Sequence, residues 1–202
     1  MIERNKQLKA KLKEINLNDV DLCFVSHEHK DHSKAQNSLC KRGVNVLAPI
    51  IPFFAKKLVK AKCGEELTLY FFPVEHGECK CCGTIIKTNN ECILYITDFT
   101  ICKYDLSAFE FTQVIVECNY IEENVVKSRE TTRVLENIKR HQSLKGCDLF
   151  LSKLNLSNCK AIILIHFSEN YSDPIYMGSY IHNKYKIKTL CCRKLGGYDT
   201  YE

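Results

Sequence analysis

The chain has 202 residues, of which 45% are hydrophobic and 26% are charged. These values exclude a disordered or fibrous chain, and the length suits one folded unit, so we expect a single domain over residues 1–202. The net charge of +5 favours an anionic substrate such as a phosphodiester, yet it falls short of the strongly basic balance of a dedicated nucleic-acid binder.

The N-terminal part of the chain predicts a helix followed by strands. Residues 2–15 carry apolar side chains at helical spacing among charges, which predicts an amphipathic helix. The apolar run 22–25 predicts a buried strand, and residues 44–48 predict the next one. Pro52 favours a helix start, so a short helix is expected over residues 51–62.

Strands and helices alternate along the rest of the chain. We expect strands over residues 66–74, 84–88, 92–97, 113–118, 161–165 and 187–191. We expect helices over residues 127–140, 144–154 and 174–185. This alternation is typical of an α/β sandwich, and polar side chains recur where its strands end.

The first residues and the cysteine content bear on the location of the protein. Residues 1–15 contain no apolar run, so neither a signal peptide nor a membrane span is expected there. The thirteen cysteines are therefore expected to be reduced thiols or metal ligands rather than disulfides. These features predict a cytoplasmic protein without a membrane partner.

A dense cluster of metal-ligating side chains follows the first predicted strand. It reads His-Glu-His-Lys-Asp-His over residues 27–32, and zinc favours these imidazole and carboxylate donors. In extended backbone the side chains of His27 and His29 point the same way, so both can reach one ion. Asp31 and His32 follow and can serve a second ion. The alternative is a solvated polar loop.

Three more candidate ligands, His76, Asp98 and His166, stand at predicted strand ends. Any one alone is more often structural, but together they complete two metal sites. The first site would consist of His27, His29 and His76, and the second of Asp31, His32 and His166, with Asp98 bridging them. Such a pair lowers the pKa of a shared water toward neutral and supplies hydroxide as a nucleophile, which Asp31 would orient.

These residues, in this order, resemble the metallo-β-lactamase superfamily, whose first metal motif is His-x-His-x-Asp-His. The resemblance extends from about residue 2 to about residue 190 and implies an α/β fold, the αββα sandwich. It also implies two divalent metal ions, zinc or alternatively manganese, held by the seven ligands named above. In the redox-active di-iron branch a Glu usually stands where His29 stands here, so hydrolysis is favoured over dioxygen chemistry.

Two further segments resemble the phosphodiesterase branches of this superfamily. Residues 116–119 and 140–143 are similar to the Glu and His-Ser-Thr-like segments of tRNase Z and related nucleases. That likeness implies His141 as a general acid that protonates the leaving oxygen, with Glu117 as its partner. The alternative is that His141 only follows the helix predicted over residues 127–140, where a cation is favourable.

The residues after His166 indicate which phosphodiesterase branch the chain resembles. His-Phe-Ser-Glu-Asn over 166–170 is similar to a pattern of bacterial and phage exonuclease-like proteins and of the anti-Pycsar cyclic-nucleotide phosphodiesterases. A phosphodiester substrate, either nucleic acid or a cyclic nucleotide, is therefore implied. Two departures bear on the substrate: Tyr120 stands where that branch has a histidine, and Arg140 stands where a glycine is expected.

The start of the chain departs from the fold that the resemblance implies. That fold normally opens with strands and a glycine-rich turn, whereas here a helix is predicted from Ile2. The usual N-terminal strands are thus expected to be lacking. Either the start of the sequence is truncated, or the protein shields the bare sheet edge by other means such as a homodimer. Two alternatives stay open, a thioester or lactone hydrolase and an inactive metal-binding scaffold. Cys79 to Cys82 are expected in an ordinary reduced loop, with an extra structural zinc site that includes Cys63 as the alternative. His182 is expected to be structural.

Overall fold

The computed structural model describes residues 16–48, 53–128, 131–192 and 197–202, without the side chains of Asp31, Arg133 and Asn137. The helix predicted over residues 2–15 lies outside these ranges. Within them, no helix combines the length and the apolar character that a membrane crossing requires. All thirteen cysteines lie within them and are free, which agrees with the expectation of reduced thiols.

The chain forms ten strands and six helices within the described ranges, after a 3₁₀ turn at Leu17–Asp19. The strands are β1 Cys23–Phe24, β2 Val46–Leu47, β3 Ala55–Lys60, β4 Glu66–His76, β5 Cys79–Lys87, β6 Cys92–Ile96, β7 Gln113–Glu117, β8 Ala161–Ile165, β9 Thr189–Cys192 and β10 Tyr198–Tyr201. The helices are α1 Lys30–Ser33, α2 Gln36–Lys41, α3 Glu122–Ser128, α4 Thr132–Ile138, α5 Leu144–Leu151 and α6 Pro174–Tyr185.

One eight-stranded sheet organises the fold, in the order β10-β9-β8-β7-β6-β5-β4-β3, and β1 pairs with β2 in a separate two-stranded sheet. Strands β3 to β6 pair in antiparallel fashion, whereas β6 to β9 are parallel. Strand β4 therefore runs in the same direction as β6, β7 and β8. The carboxyl ends of these four strands meet at one edge of the sheet.

The core lies between the central strands and the helices. Alternate residues of β6, β7 and β8 are fully buried, among them Ile96, Val116 and Leu164. Leu151 of α5 and Met177 of α6 belong to the same buried cluster. Full burial of such a side chain contributes about 1.5–3 kcal/mol, so the strands that end at the common edge are held firmly in place.

Several sequence-based element predictions are confirmed and one helix is wrong. Strand β8 and helix α6 coincide with the predicted ranges 161–165 and 174–185. The helix predicted over 51–62 is wrong, because its described part contains β3, which pairs with β4 from Ala55 to Lys60. Apolar residues in this short, Lys-rich segment fit either spacing, and the available strand edge decides. Lysines on β3 also protect that edge of the sheet from pairing with another chain.

Several other segments differ from the predictions, among them helices α1 and α2, which were not predicted. The single helix predicted over 127–140 is two helices, α3 and α4, and Thr131 marks the start of the second because its carbonyl accepts from Leu135 N–H. The reduced loop predicted over 79–82 is instead the first part of β5, since buried cysteines pack as small apolar side chains. Strand β10 was not predicted.

Gly83 provides a test of the packing between β4 and β5. It lies directly opposite Phe72 in the pairing register, and a Cβ at position 83 would sit 2.5 Å from the fully buried Phe72 ring. We expect Gly83→Ala to lower the free energy of unfolding by about 1–3 kcal/mol, as overpacking does. Urea denaturation measures the change. The exposed control on the same strand, Lys87→Ala, should stay within about 0.5 kcal/mol of the parent; equal stability of both variants would contradict the prediction.

Candidate metal centre

Two residues at the common sheet edge have unusual backbone conformations. Asp98 follows β6 with φ 53°, and His166 follows β8 with φ 65°. Residues other than glycine rarely adopt this left-handed region, and holding one there costs about 1–3 kcal/mol. Such strain persists where the surrounding structure requires a particular side-chain direction. Here it accompanies the convergence of both side chains on one site.

The Asp98 carboxylate lies at the centre of this site and is buried. Its Oδ2 atom is 3.2 Å from His32 Nε2, and its Oδ1 atom is 3.4 Å from His166 Nε2 and 3.9 Å from His76 Nε2. The Thr97 hydroxyl donates to Oδ2 at 3.0 Å. His141 Nδ1 also lies 3.6 Å from Oδ1, so a single carboxylate contacts imidazoles from four separate segments of the chain. Three of these imidazoles belong to ligands that the predicted bridging role requires.

Burial and the neighbouring charges shift the pKa values of the site. Burial alone would raise the pKa of Asp98, but the histidines around it, His166 and His32 foremost, hold that pKa below its usual range. Burial, reinforced by His32, lowers the pKa of His27 to about 4. Burial also lowers the pKa of His76. At neutral pH the metal-free site therefore presents an ionised Asp98 carboxylate and neutral His27 and His76 imidazoles, the forms that bind metal ions.

The outer nitrogens of the histidines are fixed by neighbouring oxygens. His27 Nδ1 lies 3.0 Å from Ser26 Oγ, and His76 Nδ1 lies 3.1 Å from the Arg140 carbonyl oxygen. Metal-ligating histidines commonly give one nitrogen to such a partner, which orients the other toward the ion. The Nε2 atoms of both rings are therefore the nitrogens that remain to serve as ligands.

The spacing of the donor atoms fits metal ions. In the described part of the chain, four groups have donor atoms that all lie within 4.8 Å of one another: His27, His76 and Asp98; His32, Asp98 and His166; His27, His29 and Cys79; and Glu117, His141 and His166. His27 Nε2 and His29 Nδ1 are 2.9 Å apart. Two nitrogen ligands of one tetrahedral zinc, at Zn–N distances of 2.0–2.1 Å, lie roughly 3.3 Å apart. These groups could therefore bind a metal ion, and zinc accepts donors of these kinds.

Every predicted ligand whose side chain is described lies at this site. The structure brings together His27, His29, His32, His76, Asp98 and His166. The Asp31 side chain lies outside the described residues, so its role stays a prediction. Sequence reasoning missed Cys79 as a neighbour of the ligands. The signal that it had was the spacing of Cys79 from His76, which fits the two sides of a tight hairpin.

The second predicted pair, His141 and Glu117, also lies at this edge. His141 Nδ1 is 2.6 Å from Glu117 Oε1, and the Glu117 carboxylate is completely buried at the end of β7. The Phe99 N–H donates to Oε2 at 3.1 Å, and His166 Nδ1 lies 3.2 Å from Oε1. The His141 ring stacks on the His166 ring with centroids 5.0 Å apart. The pair is thus built into the wall of the metal site.

Comparison with solved structures decides the fold. No family model and no curated protein matches the chain. The metallo-β-lactamase fold protein YhfI from Bacillus subtilis superposes with a TM-score of 0.64 and 12% identity, over 96% of this chain and 83% of that one. The chain has the metallo-β-lactamase fold. Zn²⁺-bound PqqB from Methylobacterium extorquens (TM-score 0.52, 11% identity, 88% of this chain, 64% of that one) has the same fold. A diphosphatase of the PhnP family (TM-score 0.53, 13% identity, 98% and 76%) also matches.

The expected lack of the usual N-terminal strands stays a prediction, because residues 1–15 lie outside the described part of the chain. Before His27, the described residues contain only the turn Leu17–Asp19 and the two-residue strand β1. Even so, the segment places His27 against β5, because the Cys82 N–H donates to the Ser26 carbonyl at 3.0 Å. This contact fixes the first histidine motif relative to the large sheet.

Metal content tests the central position of Asp98. Asparagine tolerates the left-handed backbone at this position, so Asp98→Asn removes the charge with little backbone change. We expect zinc-loaded, desalted Asp98→Asn protein to lose at least one equivalent of zinc relative to the parent, measured by inductively coupled plasma mass spectrometry. The matched control is Asp105→Asn, at an exposed acid outside the site, and it should bind as much zinc as the parent. Unchanged zinc in Asp98→Asn would refute the bridging role.

The stability of the metal-free protein should fall as the pH falls from about 6.5 toward 4. His27 has a folded-state pKa near 4 and an ordinary value of 6.5, so in this window the unfolded chain binds a proton that the folded chain does not. We expect chelator-treated protein to lose roughly 1–2 kcal/mol between pH 7 and pH 5 in urea titrations. The loss should shrink in His27→Gln and persist in His182→Gln, whose histidine lies on α6. An unchanged loss in His27→Gln would contradict the assignment.

Proposed function

We propose that this chain is a metal-dependent phosphodiesterase that acts on nucleic acid or a cyclic nucleotide. The observation that carries the proposal is the contact between His141 and the buried Glu117 carboxylate beside the metal centre. A metal centre alone serves many hydrolyses, whereas an oriented imidazole beside it suits a reaction whose leaving oxygen needs a proton. The diphosphatase among the similar structures is compatible with phosphoester chemistry in this fold but does not assign it.

The residues of the site divide between two metal positions. His27, His29 and His76 would hold one ion, His32 and His166 the other together with the predicted ligand Asp31, and Asp98 would contact both. When bound, divalent ions of this kind make hydroxide available from water near neutral pH and neutralise charge on phosphoryl oxygens. The net charge of +5 also suits an anionic substrate.

His141 is positioned to supply a proton. Its Nδ1 donates to Glu117 Oε1, so Nε2 is the nitrogen left to face a substrate. Hydrolysis forms a bond between a water-derived hydroxyl and phosphorus and breaks the bond from phosphorus to the leaving oxygen, which takes the proton from His141. Glu117 stabilises the protonated imidazole before the transfer. Its own place is fixed by the Phe99 N–H at 3.1 Å.

Two other readings of His141 give different expectations. As a residue that only follows α4, it would need no carboxylate partner, yet Glu117 reaches it from β7 at 2.6 Å. As a metal ligand beside Glu117 and His166, His141 would have to lose the Nδ1 proton that it now donates in its hydrogen bond to the Glu117 carboxylate. The contact with Glu117 favours the general acid over both.

Leaving-group dependence tests His141. We expect His141→Ala to lower kcat for a diester with an alkoxide leaving group, such as a dinucleotide, by roughly 10²–10⁴-fold, the usual contribution of a general acid. The same variant should lose much less activity toward bis(p-nitrophenyl) phosphate, because p-nitrophenolate leaves without protonation. Zinc content should stay at the parent level. Equal losses on both substrates, or loss of zinc, would contradict the general-acid role.

A substrate panel tests the reaction class. Protein reconstituted with zinc or manganese is assayed on phosphodiesters, cyclic nucleotides, thioesters and lactones, beside the double variant Asp31→Ala, His32→Ala. We expect turnover of phosphodiesters by the parent and background rates for the double variant. Turnover of thioesters or lactones alone would replace the phosphodiesterase proposal with the other hydrolase, and equal background rates in both proteins would favour the inactive scaffold. The expected homodimer and the cytoplasmic location stay predictions.

A further inference from the structure

We propose that the Cys79 thiolate is an additional protein ligand of the metal ion held by His27 and His29, and that it makes this position selective for zinc. The inference rests on the proposed metal centre and adds a ligand to it. The observation behind it is the group formed by Cys79 with the two histidines, whose donor atoms all lie within 4.8 Å of one another.

The hairpin between β4 and β5 places Cys79 beside the ligands. Cys79 begins β5 directly opposite His76, the last residue of β4, with only Gly77 and Glu78 between them. Directly opposed residues of an antiparallel pair project to the same face of the sheet. Because the His76 ring lies 5.3 Å from the His27 ring and 5.2 Å from the His29 ring, this face is the metal face.

The histidine partners of Cys79 lie close enough together to bind one ion once it replaces the hydrogen bond between them. His27 Nε2 and His29 Nδ1 are 2.9 Å apart, and the His27 ring is fixed on its other side by Ser26. At a near-tetrahedral angle, a thiolate with a Zn–S distance of about 2.3 Å lies roughly 3.6 Å from a nitrogen ligand. Cys79 Sγ lies no more than 4.8 Å from each of the two histidine donor atoms, so it is at most about 1.2 Å beyond this spacing. With His76 and Asp98 the ion would then have five protein donors, and zinc accommodates five ligands.

Cys81 is the competing thiol on the same face of β5. Its Sγ lies 3.8 Å from His27 Nδ1, the nitrogen that faces Ser26, and it donates to the Thr97 carbonyl at 3.6 Å. It therefore stands behind the His27 ring rather than beside the nitrogen that faces His29. Cys79 joins the group that contains both histidines, whereas Cys81 does not.

A thiolate changes the metal preference of the site. Binding of the ion replaces the thiol proton of Cys79, which is released to solvent. Soft sulfur ligands favour zinc, whereas manganese prefers carboxylate and water oxygens. The position at His27 and His29 would thus take zinc in the presence of manganese, while the position at His32 and Asp98 keeps nitrogen and oxygen donors only.

X-ray absorption spectroscopy of the reduced, zinc-loaded full chain tests the ligand. We expect a zinc–sulfur shell at about 2.3 Å in the parent and in the matched control Cys81→Ala, and no such shell in Cys79→Ala. Cobalt-loaded protein should show a sulfur-to-cobalt charge-transfer band that follows the same pattern. Absence of the sulfur shell in the parent, or its loss in Cys81→Ala instead, would overturn the proposal.

Metal competition gives an independent measurement. In mixtures of zinc and manganese, we expect Cys79→Ala to lower the preference for zinc at least tenfold, roughly the least that loss of a supporting partner costs, with Cys81→Ala close to the parent. Unchanged preference in Cys79→Ala would count against the ligand.

The two proposals fail in distinguishable ways. Phosphodiester turnover by zinc protein without a sulfur shell would overturn the Cys79 ligand alone. A sulfur shell that depends on Cys79, without phosphodiester turnover, would support the ligand and overturn the proposed function. Protein that binds no zinc would overturn both.

Discussion

A buried carboxylate among imidazoles is the constraint on which the site depends. Asp98 is 3% exposed and lies within 3.9 Å of imidazole nitrogens of His32, His76, His141 and His166. An ionised group in such a place is costly unless opposite charge or hydrogen-bond donors compensate it. Hydrogen bonds and positive charge from the histidines offset part of that cost. The nitrogen lone pairs that converge from several rings favour a bound cation. The clustered donors could therefore bind metal ions.

The parallel centre of the sheet makes this arrangement possible. Strands β6, β7 and β8 lie side by side in the same direction, so the residues at their carboxyl ends become neighbours although they are far apart in sequence. Glu117 links the two parts of the proposed machinery, because its Oε1 atom contacts both His141 and His166. The proposed proton donor and a proposed metal ligand therefore depend on one buried carboxylate for their orientation.

The sequence was enough to predict those parts of the structure in which the local residue pattern agrees with the place that the residues take in the fold. His27, His29, His32, His76, Asp98 and His166 could be found because metal-ligating residue types recur at the ends of apolar runs. Strand β3 could not, because its short pattern is ambiguous and the pairing with β4 decides it. The place of Cys79 was missed, because the short spacing from His76 is only a weak signal and the pairing register is what brings the cysteine opposite that histidine.

The turn between β4 and β5 has a consequence for how this protein can vary. It consists of Gly77, whose φ is 56°, and Glu78, and it separates His76 from Cys79. Side chains alternate between the faces of a strand, so one inserted residue that shifted β5 would turn Cys79 away from the metal face. The length of this turn is therefore far less free to change than that of an ordinary surface loop. Homologous chains that keep both side chains at the site should conserve the number of residues between them more strictly than their identity.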